Sequence, residues 1–327
     1  MIKIDHLVKH FGDKKAVNDI SFTVEEGEIV GFLGPNGAGK STTMNILTGY
    51  LSSTSGKAEI DGVDILESPI EAKKKIGFLP EQPPLYLDMT VEEYLNFVYD
   101  LKDCKLNRKK HIAEICEVVK ITNVYKRMIK NLSKGYKQRV GIAQALIGNP
   151  KVIIFDEPTI GLDPKQIIEI RNLIKTLGKN HTVILSTHIL PEAQAVCDKI
   201  IIINEGKVVA NEKRENLSNL IQGNRRFEVQ ICGPQKEVLS ELRSLQGISR
   251  VDYIGAADLE GHSFMIESQP GIDIRKTLFY MLSKNNWPLI GIDAMGATLE
   301  DIFISLVDKT PDKQSSKRTK TKQQGGK

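Results

Sequence analysis

The chain has 327 residues, 40% hydrophobic and 26% charged, with a formal net charge of +4 at pH 7; this is ordinary for a globular protein and long enough for two domains. No apolar run approaches the roughly 18 residues of a membrane span, and "MIKIDHLVKHFG" at the start lacks a signal-peptide core, so neither a membrane crossing nor export by the usual route is expected. Between Lys309 and Lys327 stand seven Lys or Arg and one Asp, which leaves the rest of the chain near neutral and argues against a broad nucleic-acid footprint.

Residues 1 to about 210 alternate short apolar strands with amphipathic helices, the pattern of an α/β fold. "SFTVEEGEIVGFLG" (21–34) predicts two strands around a Glu-Gly turn, and "STTMNILTG" (41–49) a helix. Residues 91–104 and 108–120 read as two helices with no strand between them, a helical subdomain over about 84–150 inserted into the α/β body. "VIIFDEP" (152–158) and "HTVILSTH" (181–188) are short, almost wholly apolar strands of the kind buried on both faces. Between them, Ile167, Ile168, Ile170, Leu173, Ile174 and Leu177 recur at helical spacing, with Pro164 at the first turn and Gly178 at the stop.

From about 225 the order strand, helix, strand, strand, helix, strand suggests a small α+β module of ferredoxin-like type, closed by a helix at 298–307. It carries no catalytic constellation. The domain reading is therefore 1–220, 221–308 and a tail from 309 to 327. That tail has no aliphatic or aromatic residue and reads as disordered and basic; it is a solvated tail or a patch drawn to anionic lipid. The four cysteines have no CxxC spacing and read as small buried apolar residues in a reducing compartment; the six histidines make no metal pattern.

"GPNGAGKST" (34–42) satisfies GxxxxGK[ST] between a strand and a helix. Gly34, Pro35, Asn36, Gly37, Ala38 and Gly39 form a turn whose N–H groups face inward at a helix N-terminus, an anion cradle. Lys40 supplies charge for β and γ phosphates, and Ser41, with Thr42 beside it, a hydroxyl for Mg²⁺. "VIIFDE" delivers Asp156 and Glu157 at a strand's C-terminal end, where open α/β sheets place ligands. Asp156 suits Mg²⁺, and Glu157 suits work as a general base on water.

The series of phosphate loop, "DEP", "GLDP" and a strand-ending histidine resembles the ATP-binding cassette (ABC) ATPases across residues 1 to about 220. The resemblance implies a P-loop NTPase that uses ATP and Mg²⁺. It implies adenine stacking for Phe11, a Q-loop role near Mg²⁺ and the attacking water for Gln82, a dimer-interface loop at Asp163, and a γ-phosphate switch at His188. "LSKGYKQR" (132–139) stands where the family has LSGGQ, with Lys134 and Tyr136 as departures. Ser133 reads as an N-cap, and Ser133, Gly135 and the following helix N-terminus are implied to face the other subunit's nucleotide. Ile160 stands where Ser is more usual before the "GLDP" loop.

"PTIGLDP", "LSKGYKQRVGIAQAL" and "TLEDIFISLV" further resemble cassette subunits of ABC-2-type exporters. That implies a homodimer, or a pseudo-dimer with a second cassette, driving a separately encoded permease from the inner face of the cell membrane, with no specific nucleic-acid partner. The alternatives are a ribosome- or nucleic-acid-associated ABC ATPase and a non-hydrolysing cassette. The first usually has two cassettes, coiled coils or zinc cysteines, all absent from this sequence; the second is opposed by Lys40, Asp156, Glu157 and His188 together.

Overall fold

The computed structural model of the chain describes residues 1–214, 216, 226–257, 261–269 and 272–295. Its centre is a six-stranded sheet in the order β10-β9-β3-β8-β7-β6, with β3 at Ile29–Leu33, β6 at Ile76–Leu79, β7 at Val152–Asp156, β8 at Thr182–Thr187, β9 at Lys199–Asn204 and β10 at Lys207–Lys213. All neighbours are parallel except β10, which runs antiparallel to β9. β3, β7 and β8 are buried along their whole length, as their unbroken apolar runs require. Their period of two divides them between two cores. Ile29, Leu33, Ile153, Phe155, Val183 and Leu185 pack on the helical side. Val30, Phe32, Val152, Ile154 and Ile184 pack on the other.

That second core is shared with a separate four-stranded antiparallel sheet, ordered β2-β1-β4-β5, from β1 (Ile2–Phe11), β2 (Lys14–Val24), β4 (Ser55–Ile60) and β5 (Val63–Asp64). The two strands expected at 21–34 therefore belong to different sheets. β2 buries alternate residues and leaves the others in solvent, whereas β3 buries every one. A half-exposed strand belongs in an antiparallel layer and a fully buried one inside a covered parallel sheet.

Helices α1 (Lys40–Leu47), α6 (Pro164–Leu177) and α7 (Leu190–Val196) follow strands β3, β7 and β8, and a short α2 (Pro69–Lys74) precedes β6. In α6, Ile170, Leu173, Ile174 and Leu177 face the core as expected, but Ile168 is 57% exposed. The inserted subdomain is α3 (Val91–Leu101), α4 (Arg108–Val118), two short 3₁₀ turns and α5 (Lys134–Leu146). Thr90 and Glu93 form a reciprocal capping box on α3, Asn107 caps α4, and Ser133 caps α5. At the far end of α5, Lys102 Nζ donates to the carbonyls of Gln144, Ala145 and Ile147 at 3.3, 3.2 and 2.8 Å, satisfying acceptors the helix cannot. Among the described residues, no helix is long and apolar enough to cross a membrane.

The C-terminal module has its own sheet, ordered β12-β13-β11-β14 and antiparallel throughout, from β11 (Arg226–Ile231), β12 (Ile248–Ala256), β13 (His262–Ser268) and β14 (Leu289–Met295). With α8 (Gln235–Ser244) and α9 (Arg275–Lys284) this is the ferredoxin-like arrangement, closed over Phe227, Val229, Val238, Leu242, Phe264 and Leu278. The expected helix at 298–307, the tail from 309 and the boundary near 220 lie outside the described residues.

Candidate functional site

The loop from Gly34 to Gly39 joins β3 to α1 and is tied to the sheet edge by Gly206 N–H donating to Ala38 O at 2.9 Å. Glycine is required at two of its positions by close approach: a Cβ on Gly34 would stand 2.3 Å from Ile203 O, and one on Gly39 2.5 Å from Ala16 O. Lys40 opens α1 at 6% exposure. Its Nζ donates to Gly34 O at 2.8 Å and Pro35 O at 3.3 Å and stands 3.8 Å from Glu157 Oε1. Burial pushes the ammonium below its ordinary range, against the pull of Glu157 and Asp156. A cation held in this way gains most from an anion that enters beside it.

The two acids come from the end of β7. Asp156 accepts from Ser186 Oγ at 2.7 Å, which links it to β8. Glu157, 6% exposed, has φ +49°, a left-handed backbone that few non-glycine residues adopt. Two contacts hold it there: its N–H donates to Ser186 O at 3.0 Å, and its Oε1 lies 2.8 Å from His188 Nδ1. A strained backbone fixed by its surroundings aims the carboxylate into the cleft between Lys40 and His188.

That cleft has a volume of about 800 Å³. Phe11, Asn36, Gly37, Gly39, Lys40, Ser41, Thr42, Glu157 and His188 line it. Phe11 is 49% exposed, with Lys9 Nζ 5.3 Å from its ring centroid, so much of the ring is open for a stacking base. Gly34, Pro35, Ala38 and Asp156 support the wall without lining it. Gln82 is exposed and lies outside the lining, while its neighbour Glu81 is part of it. Asp163 caps α6, accepting from Gln166 N–H at 2.9 Å, and the lining is made by Gly161 and Leu162 just before it.

Ser133 and Gly135 are elsewhere. They line a second recess of about 240 Å³ with Lys120, Tyr136, Arg139 and Gln166. The two sites are joined through the protein: Gln138 Nε2, from α5, donates to Pro158 O at 2.8 Å beside Glu157.

Sequence reasoning missed Lys14, Ala16, Thr159, Ile160, Ile167 and Ile189 as cleft residues. It also missed Glu192. That carboxylate, 2% exposed, accepts from Thr159 Oγ1 at 2.6 Å and Thr187 Oγ1 at 3.4 Å and stands 3.6 Å from Arg171. It thereby ties the segment carrying Glu157 to the one carrying His188. A Glu among ordinary helix residues gives no signal of burial; only packing reveals it.

A buried lysine in a glycine cradle after β3, with a carboxylate pair at the end of β7 two strands away in the same sheet, is the arrangement of a P-loop nucleotide hydrolase. Residues 17–160 match the ABC transporter family. The bacitracin transport ATP-binding protein of Bacillus licheniformis is 33% identical over 311 residues, covering 94% of this chain and 97% of that one. The linearmycin resistance ATP-binding protein of Bacillus subtilis is 32% identical, covering 95% of this chain and 99% of that one. A dimeric ATP-binding cassette in a post-hydrolysis state, bound to ADP and phosphate, superposes with a TM-score of 0.60 at 30% identity, over 65% of this chain and 99% of that one. The chain belongs to the ABC transporter family and is an ATP-binding, ATP-hydrolysing subunit.

Proposed function

We propose that two copies of this chain close head to tail on two Mg-ATP and, through hydrolysis, drive a separately encoded ABC-2-type permease in export from the cytoplasmic face. The observation that carries this reading is the split between cleft and recess. The phosphate loop, Glu157 and His188 share one cleft, while Ser133 and Gly135 line a separate recess and are not among the residues lining that cleft. Each needs a second copy to become part of a whole site.

In that site the Lys40 ammonium and the loop N–H groups hold the β and γ phosphates, and Phe11 stacks on adenine. Glu157 takes a proton from the attacking water. The new bond forms from water oxygen to the γ-phosphorus, the bond from that phosphorus to the β,γ-bridging oxygen breaks, and ADP and phosphate leave. His188 holds the Glu157 carboxylate and meets the γ-phosphate. Ser41 and Asp156 are the proposed Mg²⁺ ligands. Oxygen donors with one carboxylate suit an ion that keeps waters and shares substrate phosphates, and no cluster of three or more His, Cys, Asp or Glu forms a protein cage among the described residues. Gln82 would have to swing inward from its exposed position to join them.

Export is supported by relatives such as the lantibiotic transport ATP-binding protein of Streptococcus pyogenes, 37% identical over 221 residues. Light scattering of the Glu157→Gln variant tests the dimer: a monomer with ADP that dimerises with Mg-ATP is expected, and a monomer under both conditions overturns the reading.

A further inference from the structure

The departure at residue 136 leaves the recess with an unusual set of polar groups. The Tyr136 hydroxyl is already engaged, accepting from Asn123 Nδ2 at 2.9 Å, so its polar end is turned to the 3₁₀ turn Thr122–Val124 that follows α4. Ser133 Oγ accepts from Tyr136 N–H at 3.4 Å, a long bond that leaves the exposed hydroxyl available.

Gln166, on the first turn of α6, approaches from the opposite side. A Cβ on Gly135 would stand 2.7 Å from Gln166 Cδ and Oε1 and 2.9 Å from Nε2, so the carboxamide lies against that glycine. The carboxamide makes no hydrogen bond among the described residues, and the contact with the Asp163 side chain is made by the Gln166 backbone N–H. A second contact joins the same two segments: a Cβ on Gly161 would stand 2.1 Å from Lys134 Nζ. The recess is otherwise cationic, since Glu169 is paired with Arg139 while Lys120 lines it as well. An uncommitted amide donor in a cationic recess, beside the N-terminus of a 13-residue helix, suits an oxygen-rich anion.

We propose that Gln166 supplies the side-chain amide of the signature face, donating its Nε2–H to an oxygen of the nucleotide held by a second copy of this chain. The inference rests on the dimer reading above. It assigns to α6 a contact that the residue at 136 does not make, and Gly135 is the residue whose lack of a side chain gives the amide its place.

The test uses the full chain with Glu157→Gln as parent and follows Mg-ATP-driven dimerisation by light scattering, with fluorescent-ADP affinity of the monomer alongside. Gln166→Leu keeps the packing on Gly135 and removes the donor. It is expected to raise the dimer dissociation constant about 10- to 100-fold, with monomer affinity for ADP unchanged. Normal dimerisation of Gln166→Leu, together with a failure of Ser133→Arg to dimerise, overturns the role of Gln166 and leaves the dimer reading standing. Normal dimerisation in both overturns both. If Gln166→Ala loses dimerisation and Gln166→Leu keeps it, packing alone is at work and the proposal fails.

Discussion

In the phosphate cleft the lining groups are fixed by the chain's own contacts: Lys40 rests on two loop carbonyls, Glu157 on β8 and His188, and the loop itself on Gly206 in the turn between β9 and β10. In the signature recess, Ser133 and Lys134 are exposed, the capping bond is long, and Gln166 has an uncommitted amide. Both surfaces suit anions, but one is preorganised by burial and the other stays open. A ligand held within one chain is best met by groups locked before it arrives. A ligand presented by another chain must be met by groups that remain on the surface. Substitutions in the cleft should therefore act on a monomer, and those in the recess only on the dimer.

The largest expected effect is on turnover. Glu157→Gln should lower ATP hydrolysis about 10²- to 10⁴-fold while ATP still binds, measured by phosphate release beside nucleotide titration; near-normal turnover would remove Glu157 as the base. Next, Lys40→Ala should weaken nucleotide binding by roughly a thousandfold, since a unit charge at about 4 Å is worth on the order of 4 kcal/mol at an intermediate dielectric. Unchanged calorimetric affinity would break the contrast on the cleft side. Ser133→Arg should weaken ATP-driven dimerisation by about tenfold or more and leave monomer binding alone; a loss of monomer affinity would mean the two surfaces are not separable.

The smallest effect is a control outside both. Lys151 and Lys75 hold the Asp61 carboxyl at about 2, below its ordinary 3.8. A depressed carboxylate contributes stability above its unfolded value that is lost as pH falls through the folded one. Asp61→Asn should flatten the acid limb of thermal stability between pH 3.8 and about 2 and leave ATPase activity at pH 7 unchanged. An unchanged acid limb would remove the Asp61 cluster from the stability of the fold.

The phosphate loop and the acids after β7 were legible because their chemistry demands fixed residue types at fixed local spacing. The fully buried strands were legible from unbroken apolar runs. β1, whose burial alternates and whose pairing with β2 is interrupted by bulges, was not. At Ile167 helical spacing pointed to core, yet the side chain lines the cleft, because a helix start beside a loop is only partly covered. Between Glu81 and Gln82, only the course of the chain after β6 decides which faces the cleft.

Local spacing by itself determined the glycine-rich loop before α1, the two acids at the end of β7, the helical insertion and the order of elements in the C-terminal module, since each depends on residues close along the chain. The tertiary structure alone decided that β2 and β3 join different sheets, that Glu192 ties the segment after β7 to the end of β8, and that Ser133 and Gly135 line a recess separate from the cleft. It also brought Gln166 onto Gly135. These depend on contacts between residues far apart in sequence, and such contacts are set by which faces remain to be buried after the local elements have formed.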